Sequence, residues 1–155
     1  MRNQQKGFSL IELLIVVAII LIIAAIAIPN LMRSKMAANE ASAVSSLRTL
    51  NTSSVAYSTA YGQYPTAIGQ LGPMSGTSPT STTADLIDSV LATGTKSGYT
   101  FTWGAGSGTA GATYAITASP VTTGVTGQRF FYTDQSGVIR YNISATAGSS
   151  DSPLS

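Results

Sequence analysis

The chain begins with a sharp break in polarity. Met1 to Lys6 is polar, whereas every residue from Leu13 to Ile28 is apolar, mostly Leu, Ile, Val or Ala. Counted from Phe8 to Ile28, a helix would span about 31 Å at roughly 1.5 Å per residue, close to a bilayer's hydrocarbon thickness. A single charge, Glu12, sits near the start of that span. The apolar run closes at Ile28-Pro29-Asn30. Proline in a helix removes a hydrogen bond and clashes with the preceding turn, so the pattern predicts a kink at Pro29, because helical signals resume at once. Asn30 to Tyr61 contains no Gly or Pro, and Met36, Ala43, Leu47, Leu50, Ser54, Tyr57 and Tyr61 fall largely at three- and four-residue steps, giving one face for burial. Gly62, with Pro65 three residues on, stops the pattern. A helix from Phe8 to Tyr61 would be about 80 Å long at ~1.5 Å per residue. Its first half is apolar all round and needs lipid or other copies of itself; its second half is amphipathic.

Beyond the helix the pattern changes. Gln63 to Thr83 is poor in apolar residues and rich in Thr, Ser, Gly and Pro. Thr82 to Leu91 reads as a short helix that a threonine can cap, with Asp85 near the positive end of its dipole. Tyr99-Thr100-Phe101-Thr102-Trp103 alternates large and small polar residues, and Tyr114-Ala115-Ile116-Thr117 answers it as a partner strand. Arg129 to Thr133 and Val138 to Tyr141 flank Asp134-Gln135-Ser136-Gly137, whose Asp and Gly supply turn chemistry, and so form a hairpin. Ala145 to Ser155 is Ser-, Ala-, Gly- and Asp-rich and reads as a flexible tail. Strands that follow one another with short connections predict an antiparallel sheet, packed on the amphipathic half of the long helix. The fold class is α+β. The expected organisation is a leader at 1–7, a transmembrane or core helix at 8–29, its amphipathic continuation at 30–61, a head carrying the sheet at 62–144, and the tail at 145–155.

Candidate chemistry is thin. Neither His nor Cys is present, and no G-x-S-x-G elbow occurs, which removes the commonest general base, thiol and disulfide chemistry and argues against an enzyme. Gly106, Gly108 and Gly111 match G-x-G-x-x-G, but that motif needs a helix to begin at the loop, and here a strand follows; a hairpin loop is the better reading. Asp85 and Asp88 lie three apart with no further ligand near, so capping and solvation are preferred to a metal site. Tyr57, Tyr61 and Tyr64 read as packing at the helix end. No cofactor and no metal is expected. Without Arg2 and Lys6, six basic and six acidic residues remain, so no nucleic-acid surface is indicated.

The basic flank ahead of the apolar run is expected to stay cytoplasmic, with the rest of the chain outside. A secretory signal would be cut after its apolar stretch, and Ala24-Ala25-Ile26-Ala27 is an imperfect site for that. The alternative is a cut before the run. Lys6-Gly7-Phe8-Ser9-Leu10-Ile11-Glu12-Leu13 resembles the class III signal of type IV pilins and the related pseudopilins. The resemblance implies cleavage between Gly7 and Phe8 by a prepilin peptidase, methylation of the new N-terminal Phe8, and the pilin fold of a long helix laid on an antiparallel sheet. It further implies residence in a bacterial inner membrane, handling by a pilus or secretion assembly platform there, and polymerisation into a helical filament of identical chains. Gln63-Tyr64-Pro65-Thr66 followed by Leu71 is similar to the loop after the helix in that family. The chain departs from the family in lacking a C-terminal disulfide and a mid-span glycine, which leaves Pro29 as the only breaker in the anchor.

An ionised group in hydrocarbon costs on the order of 2.5–3.5 kcal/mol, less near the interface, so Glu12 is expected to have a cationic partner. The amine created at Phe8, in the same chain or in its neighbour, is the candidate; the resemblance implies that this carboxylate sets an incoming subunit's register during assembly. The expected function is therefore a structural subunit of a type IV pilus serving adhesion, motility or DNA uptake. The alternative is a pseudopilin of a type II secretion system. Major pseudopilins usually carry an acidic calcium-binding loop, and Asp134 and Asp151 are too far apart in sequence to form one.

Overall fold

The computed structural model describes residues 7–154; the expected leader falls outside the described residues except for Gly7. The first and longest element is α1 (Leu10–Tyr61), and the helix continues through Pro29. It begins at Leu10, two residues later than Phe8, because Ser9 caps it. It ends where expected: Gly62 adopts φ +77° and its N–H donates to the Ser58 carbonyl at 2.9 Å. A left-handed residue of this kind terminates helices at little steric cost only when it lacks a Cβ.

The chain divides after Lys35 into two compact units. In the first, every large apolar side chain from Phe8 to Met32 is at least 46% exposed. The most apolar part of α1 has mean hydropathy 3.3, and none of it is buried.

The second unit, from Met36 on, has its own core. After α1 come a 3-10 turn (Ile68–Leu71), α2 (Ser89–Ala92) and six strands, β1 (Thr95–Lys96), β2 (Tyr99–Gly104), β3 (Ala115–Pro120), β4 (Phe130–Asp134), β5 (Arg140–Asn142) and β6 (Ser152–Pro153). They form one antiparallel sheet in the order β1-β2-β3-β4-β5-β6. The period-two pattern of the sequence decides which face is buried. Tyr99, Phe101, Ile116, Ala118 and Phe131 join Ala43, Val44, Leu47, Leu50 and Tyr57 of α1 in one core. The predicted hairpin is present, with Phe131 opposite Tyr141, Gly137 at φ +74° and its N–H on the Asp134 carbonyl at 2.9 Å.

Two expectations are corrected. The helix expected over Thr82–Leu91 is only Ser89–Ala92, and its cap is Asp88, whose Oδ1 accepts the Leu91 N–H at 2.9 Å. Asp85 lies outside it at φ +57°; the N–H groups of Ala84 to Ile87 instead pair with carbonyls of Gln70, Leu71 and Gly72, and those tertiary bonds outcompete a first helical turn. The tail expected over 145–155 is tied down as far as Leu154. β6 pairs with β5, the Leu154 N–H donates to the Ile139 carbonyl at 2.8 Å, and Ala147 is buried. Main-chain pairing at a sheet edge needs no apolar composition, which is why a Ser- and Gly-rich segment can be ordered there.

Candidate functional site

Gly7 and Phe8 lie ahead of α1, and both are exposed; Phe8 is 84% accessible. A Cβ on Gly7 would meet nothing within 4 Å among the described residues, and these place no demand for glycine there.

Ser9 and Glu12 form a reciprocal cap. The Ser9 N–H donates to Glu12 Oε2 at 2.9 Å, while Ser9 Oγ accepts from the Ile11 N–H at 3.4 Å. The Ser9 carbonyl takes the Glu12 and Leu13 N–H groups at 3.1 and 3.3 Å. One carboxylate oxygen is thereby held against the helix N-terminus, where the dipole favours negative charge. The other is left without an intramolecular donor among the described residues. The spacing Ser-x-x-Glu ahead of an apolar run carried this signal, and reading Glu12 only as a charge awaiting an amine misses the contribution of Ser9. Both cap residues lie after Phe8, so the cap survives a cut between Gly7 and Phe8.

Pro29 sits inside α1 with no N–H to give, so the Ala25 carbonyl loses its helical donor. Beyond it the Ser34 hydroxyl donates to the Asn30 carbonyl at 3.0 Å.

In the second unit the decisive polar group is one that the sequence pattern did not reveal. Glu40 is buried on the core side of α1, and its Oε1 accepts the Gln128 and Arg129 N–H groups at 2.8 and 3.2 Å. Its Oε2 accepts Arg129 Nε at 2.7 Å, and the guanidinium lies 5.5 Å from the Phe131 ring and 5.8 Å from that of Tyr141. Burial pushes the Glu40 pKa up, but these donors outweigh it and hold the carboxyl below its ordinary value. Asn51 is also engaged: it donates to Thr133 Oγ1 at 2.8 Å and accepts the Tyr114 hydroxyl at 3.1 Å. Burial, with Tyr64 near, pushes the Tyr114 phenol up to about 12.

The remaining candidates are not drawn into one site. Asp88 caps α2 and pairs with Lys96 at 2.9 Å, while Asp85 is exposed. Asp134 accepts the Ser136 N–H at 2.9 Å; Asp151 holds Asn142 Nδ2 at 3.0 Å and the Gly148 N–H at 2.8 Å, each carboxylate serving its own turn. Among the described residues no three His, Cys, Asp or Glu gather as a metal site. The glycine-rich loop joins β2 to β3 and leads into a strand, without the helix that phosphate binding needs. Tyr57 and Tyr61 pack with tilted rings 4.6 Å apart, but Tyr64 packs on Tyr114 at 5.0 Å, and Tyr114 stacks on Trp103 at 5.3 Å.

The prokaryotic N-terminal methylation motif matches residues 2–28. The chain is 34% identical over 74 residues to the type II secretion system core protein G of Dickeya chrysanthemi, covering 48% of each chain. It is 62% identical over 40 residues to the type IV wide pilus major component PilA4 of Thermus thermophilus, covering 26% of this chain and 30% of that one. With the type IV major pilin protein PilA of Myxococcus xanthus it shares 38% identity over 69 residues, 44% of this chain and 31% of the relative. The matches thus span half or less of the relatives' lengths. The homologues are type IV pilins and type II secretion core proteins, as the resemblance of the N-terminal motif implies.

Proposed function

We propose that this chain is a structural subunit of a bacterial type IV pilus. A prepilin peptidase cleaves it between Gly7 and Phe8 and methylates Phe8, and it polymerises through the first part of α1. The observation that carries the reading is the conjunction of the methylation motif with an apolar helix segment whose own unit, among the described residues, has no buried core. Burying a large apolar side chain is worth about 1.5–3 kcal/mol, so the exposed set from Phe8 to Met32 represents tens of kcal/mol, more than a domain's net stability of about 5–15 kcal/mol. No such surface stays in water. Lipid covers it first, with the N-terminus cytoplasmic, and sister helices cover it in the filament.

Glu12 enters this scheme as the partner of a Phe8 amine. With one oxygen held by the Ser9 N–H, its second oxygen is left to take an incoming cation. Pro29 serves as the point at which the helix yields during packing.

A second reading, a pseudopilin of a type II secretion system, has in its favour that the longest of the matches above is to a core protein G. The pilus is preferred because Asp134 and Asp151 are committed to separate turns and do not form an acidic loop. Shearing the producing cells tests the proposal. Long filaments composed mainly of this chain support a pilin; retention in the envelope, with other proteins failing to be exported when the chain is deleted, overturns it in favour of the pseudopilin.

A further inference from the structure

The sheet face turned away from the core carries a cleft that assembly through α1 does not use. It is shallow and open, with a volume of about 470 Å³, and is lined by Gly104, Gly106, Ser107, Ala115, Tyr132 and Ser149 among others. Pairing explains why these residues meet. Gly104, Ala115 and Asp134 lie opposite one another on β2, β3 and β4. The next outward row is Thr102, Thr117, Tyr132 and Arg140. Phe130 follows Tyr132 on the same face, about 6.8 Å along the strand at ~3.4 Å per residue.

Two of its glycines leave this space open. A Cβ on Gly104 would meet nothing closer than 3.9 Å, and one on Gly148 nothing within 4 Å. Neither glycine has a positive φ. Neither packing nor backbone conformation therefore requires glycine there, yet a side chain at Gly104 would project from the outward face into the cleft. The lining also defines a chemistry. No lining residue is charged, and the charges nearest Tyr132 are engaged elsewhere: Arg140 donates to the Asp151 carbonyl at 2.9 Å, and Asp134 accepts the Tyr132 hydroxyl at 3.4 Å and the Ser136 N–H at 2.9 Å. The walls mix main chain and serine hydroxyls with alanine methyls, and the one large surface is an aromatic ring, so polar and apolar groups lie side by side.

We propose that this cleft binds a neutral sugar unit, its C–H face stacked on Tyr132 and its hydroxyls bonded to Ser107, Ser149 and the glycine main chain. A polar ring with one apolar face matches an aromatic platform surrounded by donors and acceptors. Phe130 provides a second platform along the strand, and Thr117 and Asn142 flank the two on neighbouring strands, so an oligosaccharide fits better than a single residue. The inference rests on the second unit alone and stands whether the chain builds a pilus or a pseudopilus.

The test uses the full chain in a detergent without a sugar headgroup. Isothermal titration measures binding of cello-, malto- and chito-oligosaccharides, with heparin-derived oligosaccharides as acidic controls. Saturable binding of a neutral series is expected, weakened at least about tenfold by Tyr132→Ala and kept within about threefold by Tyr132→Phe, since the ring face is retained. Gly104→Val, a residue favoured in strands, should fill the cleft and abolish binding while near-UV circular dichroism stays unchanged. Absence of saturable binding at millimolar concentrations would overturn the proposal. So would preference for the acidic controls, or binding indifferent to Gly104→Val in a folded variant.

Discussion

Glu40 illustrates what a single carboxylate does when it is taken out of water. Left alone it would be costly, but two main-chain N–H groups and one guanidinium surround it, and α1 is thereby fastened to the start of β4. Glu40→Ala strips a partner from all three donors and is expected to cost about 2–3 kcal/mol; Arg129→Met, which leaves the main-chain bonds, should cost about half as much. Urea titrations followed by Trp103 fluorescence would show both. Because the folded pKa lies below the ordinary 4.5, the stabilisation is fully present above that value and is lost as pH falls through the depressed one. Glu40→Gln should therefore flatten the acid limb of the stability profile. At the other end of the chain, Glu12→Val is expected to leave the protein in the membrane but absent from sheared filaments, and wild-type filament yield would refute the proposed role. Gly7→Arg should leave an uncleaved precursor, read directly as intact mass.

At the level of elements, the C-terminal strand is the clearest case for a deletion. β6 covers the outer edge of β5, the Arg140 guanidinium donates to the Asp151 carbonyl at 2.9 Å, and Leu154 packs on the core. Removing residues 148–155 uncovers the β5 edge and unpairs the Ile139 carbonyl. Faster hydrogen exchange in β5 and β4 and a lower denaturation midpoint are expected, with exchange in β2 little changed. The loop before β4 shows a different constraint. A Cβ on Gly127 would overlap the Tyr99 ring, whose hydroxyl donates to the Arg129 carbonyl at 2.8 Å, so Gly127→Ala must displace a core tyrosine. The long helix itself was legible, down to its stop at Gly62, because period and terminator agree. The short helix was not, since four helical residues leave too few positions to show a period.

As a whole molecule, the chain joins a segment with no interior to a unit with a complete one. The core of the second unit contains only residues from Ala43 onward. A chain beginning at Met36 is therefore expected to stay folded and soluble without detergent, with the near-UV circular dichroism of Tyr99 and Trp103 retained, whereas the full chain requires detergent. Aggregation of the shortened chain with loss of that signal would contradict it.

The apolar run, the amphipathic face that follows it, the hairpin at Asp134–Gly137 and the α+β class were all determined by local pattern, because hydrophobic periodicity and turn chemistry act over a few residues. The motif at Gly7, Phe8 and Glu12 is equally local. Tertiary structure alone decided what lies far apart in sequence: Glu40 meeting Arg129, Asn51 meeting Thr133 and Tyr114, the ordering of β6, and the cleft between Gly104, Tyr132 and Ser149. A buried charge or an open cleft has no sequence period. Each exists because sheet register brings distant residues within bonding distance, and register is a property of the folded chain.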